Sequence, residues 1–143
     1  TIFRPSYILG VDDYLTKNIS KQILKKQVLI PGSGKFILQP ISIDDVCLCI
    51  NDALHYSKFL NKTIDLVGPK KLLFQKLIKK SVSSKIKIKK INLELAYQKA
   101  LNDTNFEYGV EELNILVGNY LGNHKKLQNL CNFKFKNIES LNT

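Results

Sequence analysis

The hydrophobic and polar positions of this chain predict short strands that alternate with amphipathic helices. Thr63–Val67 alternates apolar and polar residues and stops at Gly68-Pro69, which predicts a strand with a sharp end. Strictly alternating lysines and isoleucines in Lys85–Lys89 predict an exposed strand. Apolar stripes at helical spacing predict further helices after Asp12-Asp13, within 70–82, after Asn92, after Glu111-Glu112 and in the tail 127–141.

The stretch Lys35–Leu54 is the centre of this pattern, because it predicts a strand that runs directly into a helix. Ser42 has the spacing to cap that helix by accepting a hydrogen bond from the Asp45 amide. The predicted apolar face of the helix consists of Val46, Ile50, Ala53 and Leu54. Upstream, Val28–Ile30 and Lys35–Leu38 flank the turn 31–34, which predicts a β-hairpin.

Two predicted strands have no obvious neighbours in this chain. Ile2–Arg4 resembles the end of a buried strand that Pro5 stops, and Ile64–Leu66 is a second such strand. Buried strands need partners on both edges, and the remaining sequence hardly supplies them. No repeat or linker marks a second boundary. The sequence therefore predicts an α/β fold in which residues 1–143 form one segment of a larger protein. The chain contains no methionine, which also indicates that Thr1 is not the start of the gene.

The net charge of +10 comes from 22 basic and 12 acidic residues, yet only Arg4 among the basic residues is an arginine. Proteins that bind nucleic acid usually rely on arginine for bidentate contacts to guanine and phosphate, so a nucleic-acid partner is not favoured. A polyanion-binding module is the rival interpretation. Its lysines would be Lys79, Lys80, Lys85, Lys87, Lys89 and Lys90. No aromatic residue lies between them to stack on bases.

Cysteine usage indicates a reducing compartment. Cys47, Cys49 and Cys131 are odd in number and lack metal-ligand spacing, so buried free thiols are the favoured interpretation and no metal site is predicted. The sequence has neither a run of 18 apolar residues nor a secretory signal, so no membrane partner is expected. These features predict a cytoplasmic protein.

Four phrases of the sequence, in this order, resemble the C-terminal half of an extended or atypical short-chain dehydrogenase/reductase, the group that contains NAD-dependent epimerases and dehydratases. They are Ile2–Gly10 (IFRPSYILG), Gln39–Val46 (QPISIDDV), Lys62–Pro69 (KTIDLVGP) and Leu130–Leu141 (LCNFKFKNIESL). The resemblance covers nearly the whole chain and is weak only over 85–125. It implies the C-terminal portion of a Rossmann-type fold, with a late sheet strand, a small lobe of a hairpin and helices, and a strand that returns to the sheet.

The same resemblance implies where ligands would lie. An N-terminal Rossmann half would bind NAD or NADP, and this chain would close over a small-molecule substrate. Pro5 and Ser6 would lie near the nicotinamide end of the cofactor, and Tyr7 and Gln39 would approach the substrate. The expected partners are that N-terminal half and, as an open alternative, a second copy in a homodimer. A mitochondrial matrix location is the alternative if the chain resembles the accessory NAD(P)H-binding subunit of respiratory NADH dehydrogenase.

Two departures from the family limit what the chain does by itself. The Gly-rich phosphate turn and the Tyr-x-x-x-Lys pair are both absent, so no catalytic residue is assigned and the chain alone is not expected to be an enzyme. Leu38-Gln39-Pro40 stands where sugar-nucleotide epimerases carry Arg-Asp-Phe/Tyr, which removes a bidentate phosphate contact. This version is more similar to the atypical branch, including NmrA-like proteins. The resemblance therefore implies that the whole protein is either an oxidoreductase or epimerase, or a non-catalytic NAD(P)H-binding subunit.

Several polar residues have both a structural and a functional interpretation. Asp44 and Asp45 are adjacent on the predicted helix and do not face one site, so a role in capping is favoured over a catalytic pair. For Arg4, pairing with a carboxylate or with backbone carbonyls is favoured over substrate contact. Tyr7 is equally well explained as a cleft residue and as a packing residue.

Overall fold

A computed structural model describes residues 1–141 of the chain. Its strands are β1 (Ile2–Pro5), β2 (Ile8–Leu9), β3 (Gln27–Pro31), β4 (Ile37–Leu38), β5 (Ile41–Ser42), β6 (Thr63–Leu66), β7 (Leu72–Leu73) and β8 (Lys87–Ile91). Its helices are α1 (Tyr14–Leu24), α2 (Ile43–His55), α3 (Phe74–Ser81), α4 (Leu93–Asn102), α5 (Val110–Val117) and α6 (His124–Leu130). A 3-10 turn at Ser57–Phe59 follows α2.

The chain forms two compact units, and the first contains residues 1–10, 38–71 and 120–138. In this unit β1 pairs with β6 in parallel, with Phe3 opposite Ile64. Next to them, β2 pairs in parallel with β5. A hydrophobic core fills the unit and consists of Ile41, Val46, Cys49, Phe59, Ile64, Leu66, Leu127, Cys131 and Phe135. The two strands for which the sequence offered no obvious neighbour, β1 and β6, therefore pair with each other. Within the described residues β1 has no second strand partner, and Ile2 is 63% exposed.

The second unit contains residues 11–37, 72–119 and 139–143, of which 142 and 143 lie outside the described part. Its sheet is a parallel pair of β3 and β8, in which Val28 lies opposite Ile88. Side chains close the other edge of β3. The Gln22 Oε1 atom accepts from the Leu29 amide at 2.8 Å, and the Tyr108 hydroxyl donates to the Leu29 carbonyl at 2.6 Å.

The predicted hairpin of Val28–Ile30 with Lys35–Leu38 is wrong, because β3 takes β8 as its partner. The turn 31–34 exists, and Gly32 and Gly34 both have positive φ there. Its amides and carbonyls are nevertheless used elsewhere. Gly32 donates to the Ile91 carbonyl at 2.8 Å, and the Gly34 carbonyl accepts from Gln75 at 2.9 Å. The turn therefore leads the chain away from β3 instead of folding it back.

The helix starts follow the predicted caps. Asp13 caps α1 by accepting from Thr16 at 2.9 Å, and Asn92 caps α4 by accepting from Leu95 at 3.2 Å. Ser42 also caps α2 as predicted, but it accepts from Asp44 at 3.2 Å and not from Asp45. A side-chain oxygen that accepts from the first-turn amides satisfies donors that have no partner within the helix.

Three helix boundaries differ from the prediction. The helix expected within 70–82 begins only at Phe74, because the Phe74 amide donates to the Phe36 carbonyl at 2.8 Å and fixes the start there. In the sequence, Gly122 predicts the end of the helix that follows Glu111-Glu112, but the helix ends at Val117, since Gly118 and the left-handed Asn119 turn the chain. The final helix, His124–Leu130, overlaps only the start of the predicted tail 127–141, and residues 131–141 are not helical.

Candidate functional site

The carboxyl ends of β1 and β6 lie at the same edge of a parallel pair. Pro5 is the last residue of β1 and lies opposite Leu66, and the Ser6 amide donates to the Leu66 carbonyl at 3.1 Å. In open α/β sheets, ligands bind outside the carboxyl ends of the parallel strands. This edge is therefore the candidate site of the first unit.

All four residues predicted for cofactor and substrate are close to this edge. The Ser6 hydroxyl donates to the Gln39 carbonyl at 2.5 Å. The Tyr7 carbonyl accepts from the Ile41 amide at 2.9 Å. Pro5 is exposed, while Ser6 and Tyr7 are partly buried. The structure thus brings together Pro5, Ser6, Tyr7 and Gln39, and their binding roles stay predictions.

The side chain of Gln39 is buried and connects two loops that follow β6 and precede α6. Its Nε2 atom donates to the Gly68 carbonyl at 2.9 Å, and its Oε1 atom accepts from the Gly122 amide at 3.0 Å. Both ends of the amide are therefore hydrogen-bonded to backbone. This gives Gln39 a structural role beside the predicted contact with substrate, and no sequence pattern pointed to Gly122 as its partner.

His124 lies near the same edge and was not predicted as a site residue. Its Nδ1 atom is 2.9 Å from the Val67 carbonyl oxygen, which can only accept, so Nδ1 carries the proton. Its ring meets the edge of Phe135 with centroids 4.8 Å apart. The sequence offered no signal for His124, because the contacts that position it come from residues far along the chain.

Aspartates of α2 hold residues 131–138, called here the C-terminal segment. Asp52 accepts from the Asn132 amide at 3.0 Å, and Asp45 accepts from the Lys136 amide at 2.9 Å. Asp44 receives the Lys136 ammonium at 2.7 Å on the surface. Asp44 and Asp45 do have structural roles, but they act mainly on the C-terminal segment and less on their own helix.

The pKa of the Asp45 carboxyl is shifted by its surroundings. Burial raises this pKa, and Asp44 adds to the rise, whereas the Lys136 amide and ammonium and His124 lower it. Because the folded state holds the proton more tightly than the unfolded state, protonated Asp45 favours folding. Its contribution to stability is fully present below the unfolded pKa of about 4 and is lost as pH rises through the raised folded pKa.

We expect Asp45→Asn to remove this pH dependence. The amide oxygen of asparagine can still accept from Lys136, so the free energy of unfolding should be equal to or higher than that of the wild type at neutral pH. Urea denaturation between about pH 4 and pH 8 measures the effect. Asp12→Asn is the control, because that carboxylate is 85% exposed and belongs to the second unit. A loss of stability in Asp45→Asn that grows toward neutral pH would contradict the expectation.

Arg4 pairs with the carboxylate of Asp65, in agreement with the favoured interpretation. The Arg4 side chain is exposed, although its strand was expected to be buried. Its Nε and Nη2 atoms lie 3.1 and 2.6 Å from the same carboxylate oxygen of Asp65. This pair lines a groove of about 570 Å³, whose other lining residues include the polar Lys62 and Lys126 and the apolar Ile64 and Leu130. Exposed ion pairs of this kind contribute about 0–1 kcal/mol to stability.

The lysines of the rival polyanion interpretation are all exposed in the second unit. Two of them have partners, since Lys80 lies 3.0 Å from Glu139 and Lys90 donates to the Ser33 carbonyl at 2.8 Å. The outer positions of β8 carry Lys87 and Lys89, which is typical of an edge strand protected against pairing. Binding of a polyanion by this zone stays a prediction.

None of the helices within residues 1–141 is long and apolar enough to span a bilayer.

The structural role of Gln39 can be tested without any ligand. Gln39→Ala leaves the Gly68 carbonyl and the Gly122 amide without their partner, so we expect a loss of about 2–3 kcal/mol of stability. Gln98→Ala is the matched control, because Gln98 is exposed on α4 and its loss should change stability little. Urea denaturation of both variants measures the difference. If Gln39→Ala and Gln98→Ala have equal free energies of unfolding, the two hydrogen bonds of the Gln39 side chain do not contribute to stability.

The fold of this chain is similar to part of the fold of solved dehydratase and epimerase structures. One is the dTDP-glucose 4,6-dehydratase of Bacillus anthracis str. Ames in complex with NAD, with a TM-score of 0.53 and 18% identity over 90% of this chain and 46% of that one. Another is the UDP-glucuronic acid 4-epimerase of Bacillus cereus in complex with UDP-glucuronic acid and NAD, with a TM-score of 0.55 and 15% identity over 84% of this chain and 44% of that one. The chain has the fold of the C-terminal portion of these Rossmann-type enzymes.

The sequence comparisons add no closer relationship. No protein-family model matches the chain, and no curated protein matches it. The chain spans less than half of the length of the two solved structures. The resemblance in the sequence is thus supported at the level of the fold.

Proposed function

We propose that this chain is the substrate-side C-terminal portion of an atypical NAD(P)-dependent epimerase, dehydratase or reductase-like protein. The observation that carries the proposal is the parallel pair of β1 and β6, whose carboxyl ends gather Pro5, Ser6, Tyr7 and Gln39. That edge is where this class of sheet binds its ligands. Support also comes from the two structural neighbours, both of which are complexes with NAD.

The partner in this proposal is an N-terminal Rossmann half. Parallel sheets are normally covered on both faces and continue beyond two strands. In the first unit, β1 has no further strand beside it within the described residues, and Ile2 is 63% exposed. The outer face of α2 is apolar as well, with Leu54 78% exposed. An N-terminal half that adds a strand to β1 would cover such surfaces.

The division of labour follows from what each part contains. The N-terminal half would hold the pyrophosphate of NAD or NADP and supply the groups that move protons. This chain would place Pro5 and Ser6 at the nicotinamide end and would close over a small-molecule substrate with Tyr7 and Gln39. The Ser6 hydroxyl is held at 2.5 Å by the Gln39 carbonyl, which couples the two parts of the site.

The proposal is tested on the protein encoded by the whole reading frame that contains this chain. Titration with NADH and NADPH, followed by nicotinamide fluorescence, should show binding to the whole protein and none to the chain alone. Ser6→Ala in the whole protein should weaken binding about 5-fold, the equivalent of one hydrogen bond. Ser84→Ala, an exposed serine of the second unit, should leave it unchanged. A folded whole protein that binds neither cofactor would overturn the proposal.

A further inference from the structure

Two buried thiols of the first unit are in contact. Cys49 lies in the middle of α2, and Cys131 follows the last residue of α6, so 82 positions separate them along the chain. Their Sγ atoms are 3.6 Å apart. Both belong to the hydrophobic core of the unit, where Phe135 and Val46 are also buried. The third cysteine, Cys47, is exposed on the other side of α2.

We propose that Cys49 and Cys131 are a thiol-oxidation site, which forms a reversible intramolecular disulfide with a low-molecular-weight disulfide such as oxidised glutathione. A disulfide requires its sulfur atoms at about 2.05 Å, so the pair must close by roughly 1.6 Å. The packing of the core already places the two Sγ atoms in contact. This site is independent of cofactor and substrate binding.

The reaction begins at Cys131, which retains slight exposure, whereas Cys49 has none. The hydrogen bond from the Cys49 thiol lowers the pKa of Cys131, and Lys58 lowers it further, although burial and the nearby carboxylates of Asp52 and Asp45 oppose this shift. The Cys131 thiolate attacks one sulfur of glutathione disulfide and releases a glutathione thiolate, which takes up the Cys131 proton. Cys49 then attacks the Cys131 sulfur of this mixed disulfide, which breaks the bond to glutathione, and the second glutathione thiolate takes up the proton that Cys49 loses. The two cysteines lose two electrons, and glutathione disulfide is reduced to two thiols.

The reaction with oxidised glutathione is expected to be slow, because both cysteines are buried and the core must open locally before glutathione can reach Cys131. The hydrogen bond to Cys131 and burial raise the pKa of Cys49, so its thiolate is scarce in the closed state. Opening requires the C-terminal segment to release the bonds that Asp52 and Asp45 make to it. Once formed, the disulfide would tie that segment to α2 covalently.

The experiment uses the Cys47→Ser variant, in which Cys49 and Cys131 are the only cysteines of residues 1–143. Incubation with oxidised glutathione should give a monomer whose denatured form no longer reacts with iodoacetamide, and peptide mapping should show Cys49 linked to Cys131. Closure of so long a loop should raise the melting temperature on the order of 10 °C, and dithiothreitol should reverse the shift. Cys131→Ser in the same background is the control and should show no such shift.

Other outcomes would overturn the proposal. They are a Cys47→Ser protein that keeps both thiols after prolonged oxidation, one that stops at a mixed disulfide with glutathione, and one that links only between molecules. In the wild type, a bond between Cys47 and either buried cysteine would also contradict it. If Cys131→Ser fails to fold, the comparison of oxidised with reduced Cys47→Ser still decides the question.

Discussion

Gly68→Ala is expected to destabilise the first unit by about 3–4 kcal/mol, more than an ordinary glycine substitution. A Cβ atom on Gly68 would lie 1.8 Å from the Pro40 carbonyl oxygen and 2.8 Å from its carbon. Both are backbone atoms, so no rotation of a side chain relieves the overlap. The loop after β6 and the residues before β5 would have to separate, which would also break the hydrogen bonds that Gly68 makes with Gln39.

Gly109→Ala is the matched control for this substitution. A Cβ at Gly109 would meet only the end of the Glu112 side chain, at 3.3 Å, and that side chain can move. Gly109 caps α5, and Gly109→Ala should lower the free energy of unfolding by less than about 1 kcal/mol. Urea denaturation of both variants measures the two losses. Similar losses would show that the approach of Gly68 to Pro40 is not a tight constraint.

The central helix shows which parts of the fold local sequence could predict. Ser42 marked its start correctly, because a cap depends on neighbouring residues only. The buried face was predicted only in part: Val46 is buried and Ala53 packs against the core, but Ile50 and Leu54 are exposed. Asp45 and Asp52 are buried in their place. Those two aspartates accept from backbone amides of the C-terminal segment, more than 75 residues away. A pattern of apolar residues cannot reveal acceptors that serve such distant donors.

The wrong hairpin has a similar cause. Two apolar runs around a Pro-Gly turn are typical of antiparallel neighbours, and the turn itself was correctly placed. The competing partner of β3 was the lysine-rich strand β8, whose alternation predicted an exposed strand but not its neighbour. On the other edge, Gln22 and Tyr108 take the place of a strand by binding the Leu29 backbone. Parallel pairing depends on connections that local turn residues do not specify.

The candidate site was found by resemblance and not by residue chemistry. Pro5, Ser6, Tyr7 and Gln39 carry no reactive pattern of their own, and only the order of the quoted phrases placed them together. The structure adds residues that no phrase contained, namely Gly122 and His124, which approach the same edge from the start of α6. Their position depends on the return of the chain to β6 after the second unit, which short-range patterns do not determine.

Phe59→Ala is expected to cost about 3–5 kcal/mol of stability, the range for an aromatic residue lost from a core. Phe59 has 0% exposure and lies edge-on to Phe3 of β1, with ring centroids 6.4 Å apart. Its carbonyl also accepts from the Thr1 hydroxyl at 2.8 Å, so the residue fixes the beginning of β1 from two sides. The cavity left by alanine would therefore loosen the strand whose carboxyl end carries Pro5 and Ser6.

The neighbouring Leu60 provides the control, because it is 61% exposed and Leu60→Ala should cost less than about 1 kcal/mol. Phe59→Leu, which keeps most of the buried volume, should fall between the two. Urea denaturation gives the three free energies of unfolding, and hydrogen exchange of the Phe3 and Ile64 amides reports on the pairing of β1 with β6. If Phe59→Ala is no less stable than Leu60→Ala, the core around Phe59 does not support the candidate site.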